Sequence, residues 1–445
     1  MPNKKLSHHI QDIFTQAIAS ALPTTIISHN LTLDNTSILL AGQKIYNLNQ
    51  FQHIVVLGAG KASALMAKNL ENILQTYLTE GIIITKYNHT CNLKKTTLIE
   101  AGHPIPDHNS LEGGKLIVET IQRYKNTNTL FIFLLSGGAS SLMVLPEPPL
   151  TLEDKQLINS LLLSSGANIY EINTIRKHLS QLKGGKLAKL AHPNPILTLV
   201  ISDVIGDDLS VIGSGPTYPD SSTWQDCLTI LQKYKLWERL PNHLQNFFSQ
   251  GIKGQIADTP KKNDSYFNSV KNIILASNRQ VLRAAATRAQ QLGYTPLILT
   301  SSLQGEAKEA AKFLASIARE ITTSGHPLKP PCCIISGGET TVNMGDSQGK
   351  GGRNQELALA FALELDPGPN VCFLSAGTDG TDGPTDAAGA IITSETLKLA
   401  KAKGLNPEIF LLNHDSYNFF KPIGGLFITG PTFTNVMDVQ IILCS

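Results

Sequence analysis

IVVLGAGKAS, residues 54–63, runs from a β-branched apolar segment through Gly58-Ala59-Gly60 to Lys61, and then into helix-favouring residues that continue to Leu70. A buried strand entering a helix through a glycine turn is the repeating unit of an α/β sheet. The stretch approaches two phosphate-binding signatures and completes neither. A dinucleotide fingerprint has a third glycine where Ser63 stands, and a P-loop needs four residues between its first glycine and its Gly-Lys pair. What survives is a turn that presents one lysine at the carboxyl edge of a strand.

The pattern recurs at GIIIT (81–85), TLFIFLLS (129–136), ILTLVIS (196–202), NIILAS (272–277), PLILT (296–300), CCIIS (332–336), VCFLS (371–375) and GAIIT (389–393). Continuous apolar strands alternating with helical patterns predict parallel sheets covered on both faces. Ligands of such sheets sit outside the carboxyl ends of the strands, so the residues just after each run carry most information. The polar, weakly periodic segment DTPKKNDSYFNS (258–269) marks a boundary. The expectation is two α/β domains with mainly parallel sheets, a Rossmann-like domain over 1–250 and a second over 265–445. TTSGHPLKPP (322–331) reads as a loop inside the second. FLLSGGAS (133–140) and CIISGGET (333–340) echo one another, as a true repeat or as convergent turn chemistry.

Among 445 residues, 37 Lys and Arg against 35 Asp and Glu leave a net charge of +2, which gives no electrostatic case for nucleic acid or an anionic membrane. Six cysteines without a CxxC suggest a reduced chain, with Cys332 and Cys333 as small buried hydrophobes. Leu6, Ile10, Ile13, Phe14, Ala17 and Ala21 recur at helical spacing, so the N-terminus reads as an amphipathic helix rather than a signal peptide. No apolar run approaches the roughly 20 residues that span a bilayer. A soluble, cytoplasmic protein is expected.

Glycine turns after parallel strands can aim backbone N–H groups at an anion, although glycine also serves tight turns for steric reasons alone. Gly58-Gly60, Ser136-Gly137-Gly138 and Ser336-Gly337-Gly338 are the candidates. In ISDVIGDDLSVIGSGPTYPD (201–220), Asp203, Asp207 and Asp208 could act as general base or hold Mg²⁺, while one of the last two could cap a helix. GDSQGKGGRNQELALAFALEL (345–365) sets Lys350 and Arg353 in a glycine-rich loop before an apolar helix. A cation there opposes the helix dipole, and a bound anion between Arg353 and the helix end would resolve the conflict. A solvated arginine is the plainer alternative. SAGTDGTDGPTDAAG (375–389) holds Asp379, Asp382 and Asp386, part tight turn and part candidate metal or hydroxyl contacts. Arg176, Lys177, Lys183 and Lys186 in NTIRKHLSQLKGGKLAK (173–189) read as a solvated helix face, broken at Gly184-Gly185 by a turn with room for an anion. No HExxH occurs, and the GxSxG match GDSQG (345–349) lies in a glycine-rich loop rather than at a strand-to-helix elbow, so metallopeptidase and hydrolase readings fall away.

Taken in order with AGHPIPD (101–107), SGGASSL (136–142), SGGETTV (336–342), GKGGRNQELAL (349–359) and TGPTFTNVMDV (429–439), these segments resemble the glycerate 2-kinase family whose C-terminal half is the MOFRL domain. The resemblance runs through nearly the whole chain. Phe433 departs from it, standing where the family pattern has a glycine. It implies ATP- and Mg²⁺-dependent phosphorylation of D-glycerate at its 2-hydroxyl, in a cleft between two α/β domains. Lys61, Asp203 and Arg353 match the family's active-site Lys, Asp and Arg. Nucleotide contacts are expected at Gly58, Gly60, Ser136, Gly137, Gly138, Asn278, Gly337, Gly338 and Asp379, and metal contacts at Asp207 and Asp208. Substrate and nucleotide are the expected partners, without nucleic acid or membrane, and a homo-oligomer is compatible with this reading. Members also carry the name hydroxypyruvate reductase, so NAD(P)H-dependent reduction is the rival. Ser63 and the missing acid after Thr85-Lys86 weigh against it. A non-catalytic sugar-acid or nucleotide-binding module is a third reading, which would not require convergent Lys, Asp and Arg.

Overall fold

The computed structural model describes residues 2–365 and 370–445. Three short strands, β1 (Leu31–Asp34), β2 (Ser37–Leu40) and β3 (Gln43–Asn47), form a small antiparallel sheet. IVVLG then becomes β4 (His53–Ala59), followed by β5 (Glu80–Lys86), β6 (Thr96–Ala101), β7 (Thr129–Leu135), β8 (Ile196–Ile201) and β9 (Val270–Ala276). They lie in the order β6-β5-β4-β7-β8-β9, and every pairing from β6 to β8 is parallel. β7 and β8 are buried at every residue, which is why their sequences are apolar without alternation. Val55, Leu57, Phe131 and Phe133 meet Ile117 and Ile121 of the helix His108–Tyr124 in the main core. A second core gathers around Trp224 and Phe248 from the helices Leu152–Ser164, Ile169–His178, Trp224–Lys233 and Asn242–Ile252. The first two of these helices begin at capping boxes, Thr151 with Asp154 and Asn168 with Glu171.

The remaining strands are β10 (Thr295–Leu303), β11 (Cys332–Gly338), β12 (Val371–Gly377), β13 (Gly389–Thr393), β14 (Leu426–Phe427) and β15 (Asp438–Cys444), in the order β10-β11-β15-β12-β13-β14. The mainly parallel sheet expected here is mixed instead. β10 and β11 pair parallel, but the last strand, β15, inserts antiparallel between β11 and β12. Its first residue, Asp438, therefore lies level with Gly338 and Gly377 at the carboxyl ends of its neighbours.

The chain forms two compact units, Ile26–Leu275 and Met1–Thr25 with Ala276–Ser445. The N-terminal helix Pro2–Ala19 thus belongs to the same unit as the C-terminal half, not to the stretch expected over 1–250. It buries Leu6, Ile10, Ile13, Phe14 and Ala17, as its spacing predicts. Phe14 meets Phe427 edge-on at 5.2 Å, and Arg288 holds Asp12 at 2.6 Å. Among the described residues no helix is long and apolar enough to cross a membrane.

Candidate active site

In the unit Ile26–Leu275, the turn after β4 is tied inward. Gly60 N–H donates to Ile84 O at 3.0 Å and Lys61 N–H to Gly137 O at 2.9 Å, while Ala62 N–H donates to Ser136 Oγ at 3.1 Å. Ser63 closes the turn, its N–H bonding Gly60 O at 3.2 Å and its hydroxyl the same oxygen at 2.6 Å. These amides are engaged, so the turn does not offer an anion the N–H nest that its glycines suggested. The glycines are steric instead: a Cβ on Gly58 would lie 2.5 Å from Leu134 O, and one on Gly60 2.1 Å from Ser136 Oγ.

The turn after β7 differs. Gly138 holds φ 85°, a conformation that favours glycine. Among the described residues, the N–H groups of Gly137 and Gly138 take no acceptor within the turn. The side chains of Lys61 and His103 come against it, since a Cβ on Gly138 would lie 3.5 Å from Lys61 Cγ and 2.8 Å from His103 Cδ2. His103 was not singled out in the sequence. Its only signal is its place in AGHPIPD, directly after β6. Burial, and then the charges of Lys61 and Lys86, push its imidazole down to about 4, so it is neutral at physiological pH.

Asp203 follows β8 and is half-buried. Asp207 takes φ 58°, and Asp208 accepts from Ser210 N–H at 2.8 Å in a local turn. Among the described residues no three His, Cys, Asp or Glu side chains are placed to share a metal ion. Asp207 and Asp208 suit at most an ion whose remaining ligands come from phosphates and water, the usual manner of Mg²⁺. Arg176, Lys177, Lys183 and Lys186 are not a solvated face. Lys183 is 1% exposed and Lys177 is paired with buried Asp220 at 3.1 Å. The Gly184-Gly185 break turns this segment inward, with φ of 59° and 80°.

In the other unit, Arg353 opens the helix Arg353–Glu364. Its guanidinium grips Asp438 with Nε at 2.6 Å and Nη2 at 3.0 Å, and reaches Glu339 with Nη1. The helix amides of Asn354 and Gln355 bond Asp382 at 3.1 and 2.8 Å. The conflict between Arg353 and the helix dipole is thus resolved by the protein's own carboxylates, which neither the bound anion nor the solvated arginine had anticipated. Asp438 is pushed up to about 7 by burial, with Arg353 pulling the other way. Burial alone would lower Arg353, but Asp438 and Glu339 outweigh it and raise it. The bidentate contact decides for a charged arginine, which keeps its proton at any physiological pH.

Asn278, a candidate nucleotide contact, clamps backbone, its Nδ2 donating to Val436 O at 2.8 Å and Asp438 O at 2.9 Å. Gly337 leaves room for it, as a Cβ there would sit 2.2 Å from Asn278 Oδ1. Gly338 passes equally close to the backbone of Leu303. The acids after β12 are distributed rather than clustered. Asp379 accepts from Thr381 at 3.0 Å, Asp386 from Tyr417 at 2.8 Å, and Asp382 caps the helix. The hydroxyl contacts expected of them are to the protein's own side chains. Lys350 stacks over Tyr417 at 4.3 Å and lines a cavity of about 660 Å³ with His414 and Asp415.

Residues 9–249 match the family described as a domain of unknown function, DUF4147, and residues 332–438 match the MOFRL family. Glycerate 2-kinase from Pyrococcus horikoshii is 41% identical over 426 residues, covering 96% of this chain and 94% of that protein. The chain belongs to the glycerate 2-kinase family with a MOFRL domain. The crystal structure of glycerate kinase from Thermotoga maritima superimposes on this family member with a TM-score of 0.86 at 38% identity, covering 99% of this chain and all of that one (100%). A protein of Agrobacterium vitis named putative hydroxypyruvate reductase is 44% identical over 394 residues, covering 87% of this chain and 98% of that protein. The departure from the family pattern at Phe433 also has a structural counterpart. Phe433 holds φ 62°, a left-handed conformation in which a glycine is unstrained.

Proposed function

We propose that this chain transfers the γ-phosphoryl group of ATP to the 2-hydroxyl of D-glycerate. The observation that carries the reading is the meeting of Lys61 and neutral His103 with the Ser136–Gly138 turn at the carboxyl edge of a parallel sheet. Burial is the main cause that holds the imidazole down to about 4, and Lys61 and Lys86 add to it, a positive field beside amides that take no acceptor within their turn. A phosphoryl group suits both features.

Phosphoryl transfer relies on positioning and charge stabilisation more than on covalent chemistry. In this reading Lys61 neutralises charge growing on the transferred group, and the amides of Gly137 and Gly138 orient it. Asp203 accepts or orients the proton of the 2-hydroxyl. Arg353, held in register by Asp438, supplies a second cation, exchanging its exposed partner Glu339 for a phosphoryl oxygen. Mg²⁺ bound with ATP would offset charge on the nucleotide phosphates, with Asp207 and Asp208 as this chain's contribution. Reduction by NAD(P)H finds little support, because the amides of the Gly58–Ser63 turn are engaged within the protein.

Incubation with D-glycerate and ATP, set beside hydroxypyruvate and NADH, tests the reading. Glycerate-dependent ADP release, with a phosphorus resonance of 2-phosphoglycerate, is the expected result. NADH oxidation without ADP release would replace the kinase by the reductase.

A further inference from the structure

His103 follows the carboxyl end of β6, and one edge of its ring lies on the Ser136–Gly138 turn. A Cβ on Gly138 would sit 2.8 Å from its Cδ2, 3.1 Å from its Nε2 and 3.5 Å from Lys61 Cγ. The bare Gly138, at φ 85°, therefore leaves the room in which both side chains meet the turn. The loop that carries the ring is held on both sides of it. Asp107 caps the helix His108–Tyr124 through Ser110 N–H at 3.0 Å, accepts from the backbone N–H of Gly102, and takes the hydroxyl of Tyr87 at 2.7 Å. Gln156 Nε2 donates to Pro106 O at 2.7 Å. The backbone under the ring is thus fixed before any ligand binds.

His103 is half-buried and the next two residues, Pro104 and Ile105, are exposed, so a ligand can reach it. Its ring bonds its own backbone carbonyl and, among the described residues, no other residue. Burial first, and then Lys61 and Lys86, keep the ring neutral at physiological pH. A neutral imidazole has one donor and one acceptor nitrogen. With the N–H turned to its own carbonyl, the nitrogen on the edge that meets Gly138, Nε2, presents a lone pair. That lone pair repels phosphoryl and carboxylate oxygens, which suit Lys61 and the amides of the turn. It accepts a hydroxyl.

We propose that His103 is a specificity-determining residue, its Nε2 accepting a hydrogen bond from the substrate hydroxyl that is not phosphorylated, the 3-hydroxyl of D-glycerate. The assignment rests on the kinase reading, in which Asp203 takes the 2-hydroxyl and Lys61 faces the transferred group. The division of labour follows charge. Cation and amides hold the group that carries negative charge, and the uncharged acceptor holds the hydroxyl that stays neutral throughout. A substrate with hydrogen in place of that hydroxyl leaves Nε2 unpaired and is rejected.

Steady-state kinetics of the full chain with ATP compare D-glycerate with D-lactate, the same acid without its 3-hydroxyl. The wild-type protein should favour D-glycerate in kcat/KM by about 10²-fold or more. In His103→Leu that preference should shrink by about tenfold or more, because D-glycerate loses a contact that D-lactate never makes, while KM for ATP stays close to wild type. Should His103→Leu fail to fold, His103→Asn, whose amide ends short of the Nε2 position, carries the same test. An equal fall for both substrates, or a raised KM for ATP with the preference intact, would overturn the proposal and make His103 a support for Lys61. So would a wild-type protein that phosphorylates D-lactate as readily as D-glycerate. Release of ADP with neither substrate is a different failure: it removes the kinase reading, and the specificity role falls with it.

Discussion

Arg353 has two carboxylates against its guanidinium, Asp438 in bidentate contact and Glu339 on the remaining nitrogen, whereas the more deeply buried Lys155 has none within salt-bridge distance among the described residues. The two cases separate orientation from charge. Arg353 is aimed, at the expense of most of its net charge. Lys155 and Lys183 are instead pushed toward the neutral amine by burial and then by the cations around them. Removing a cation from each region should therefore move stability in opposite directions.

The largest effect is expected at Arg353. If Arg353 acts on the transferred group as proposed, its loss in Arg353→Ala should lower kcat by about 10³-fold or more. From the sequence alone such a variant is expected to keep its fold. The structure changes that expectation, because Asp438 would be left buried without its partner, a loss on the order of 3–5 kcal/mol. Unfolding in urea beside steady-state kinetics measures both. A variant as stable as wild type would show that Asp438 readily takes a proton, and the contrast with Lys155 would weaken.

Lys61→Met comes next. Lys61 is only half-buried where it meets the Gly138 turn, so its loss should appear in turnover and not in stability. A fall of about 10²–10³-fold in kcat is expected, with Tm close to wild type. A fall in both together would make Lys61 a structural residue.

The strands of both sheets that precede candidate residues were legible, because continuous β-branched runs such as IVVLG and TLFIFLL betray strands buried on both faces. The rule that ligands lie after such runs led to Lys61, Ser136–Gly138 and Asp203. It missed Asp438, which opens its strand rather than following one. Because β15 runs antiparallel between β11 and β12, its first residue lies beside the last residues of its neighbours. Strand direction is a property of the sheet, not of the segment DVQIILC, so local pattern could not supply it. Burial of Lys155 and Lys183 was hidden for a similar reason. Charged residues at helical spacing read as a solvated face unless a second layer of helices, here around Trp224, is known to cover them.

Asp382 tests how far a carboxylate can replace a bound anion at a helix end. It caps two amides of the helix that Arg353 opens. Asp382→Ala should cost about 1–2 kcal/mol, toward the upper end for a cap because the freed amides are buried. Denaturant unfolding measures it. An unchanged midpoint would mean that another acceptor moves in.

His103 reports its burial and, after that, the charges of Lys61 and Lys86. Its folded pKa of about 4 lies below the unfolded value of 6.5, so the unfolded chain binds more protons between these limits. The stability this group contributes is fully present above pH 6.5 and is lost as pH falls toward 4. His103→Gln should flatten that acid slope. In Lys61→Met the imidazole pKa, followed by NMR, should rise, because one of the charges holding it down is gone. An unmoved imidazole would assign its shift to burial and Lys86 alone.

The smallest effect separates the two carboxylates of Arg353. Asp438 is 1% exposed, while the Glu339 side chain is 44% exposed, so water screens the second contact and not the first. Glu339→Gln should therefore change stability by less than about 1 kcal/mol. It should nevertheless change binding, since the guanidinium nitrogen that Glu339 occupies is the one proposed to meet a phosphoryl oxygen. With the competing carboxylate neutralised, KM for ATP should fall modestly while kcat stays close to wild type. A higher KM would instead make Glu339 an orienting partner like Asp438, and the line between aimed and available charge would then run outside Arg353 altogether.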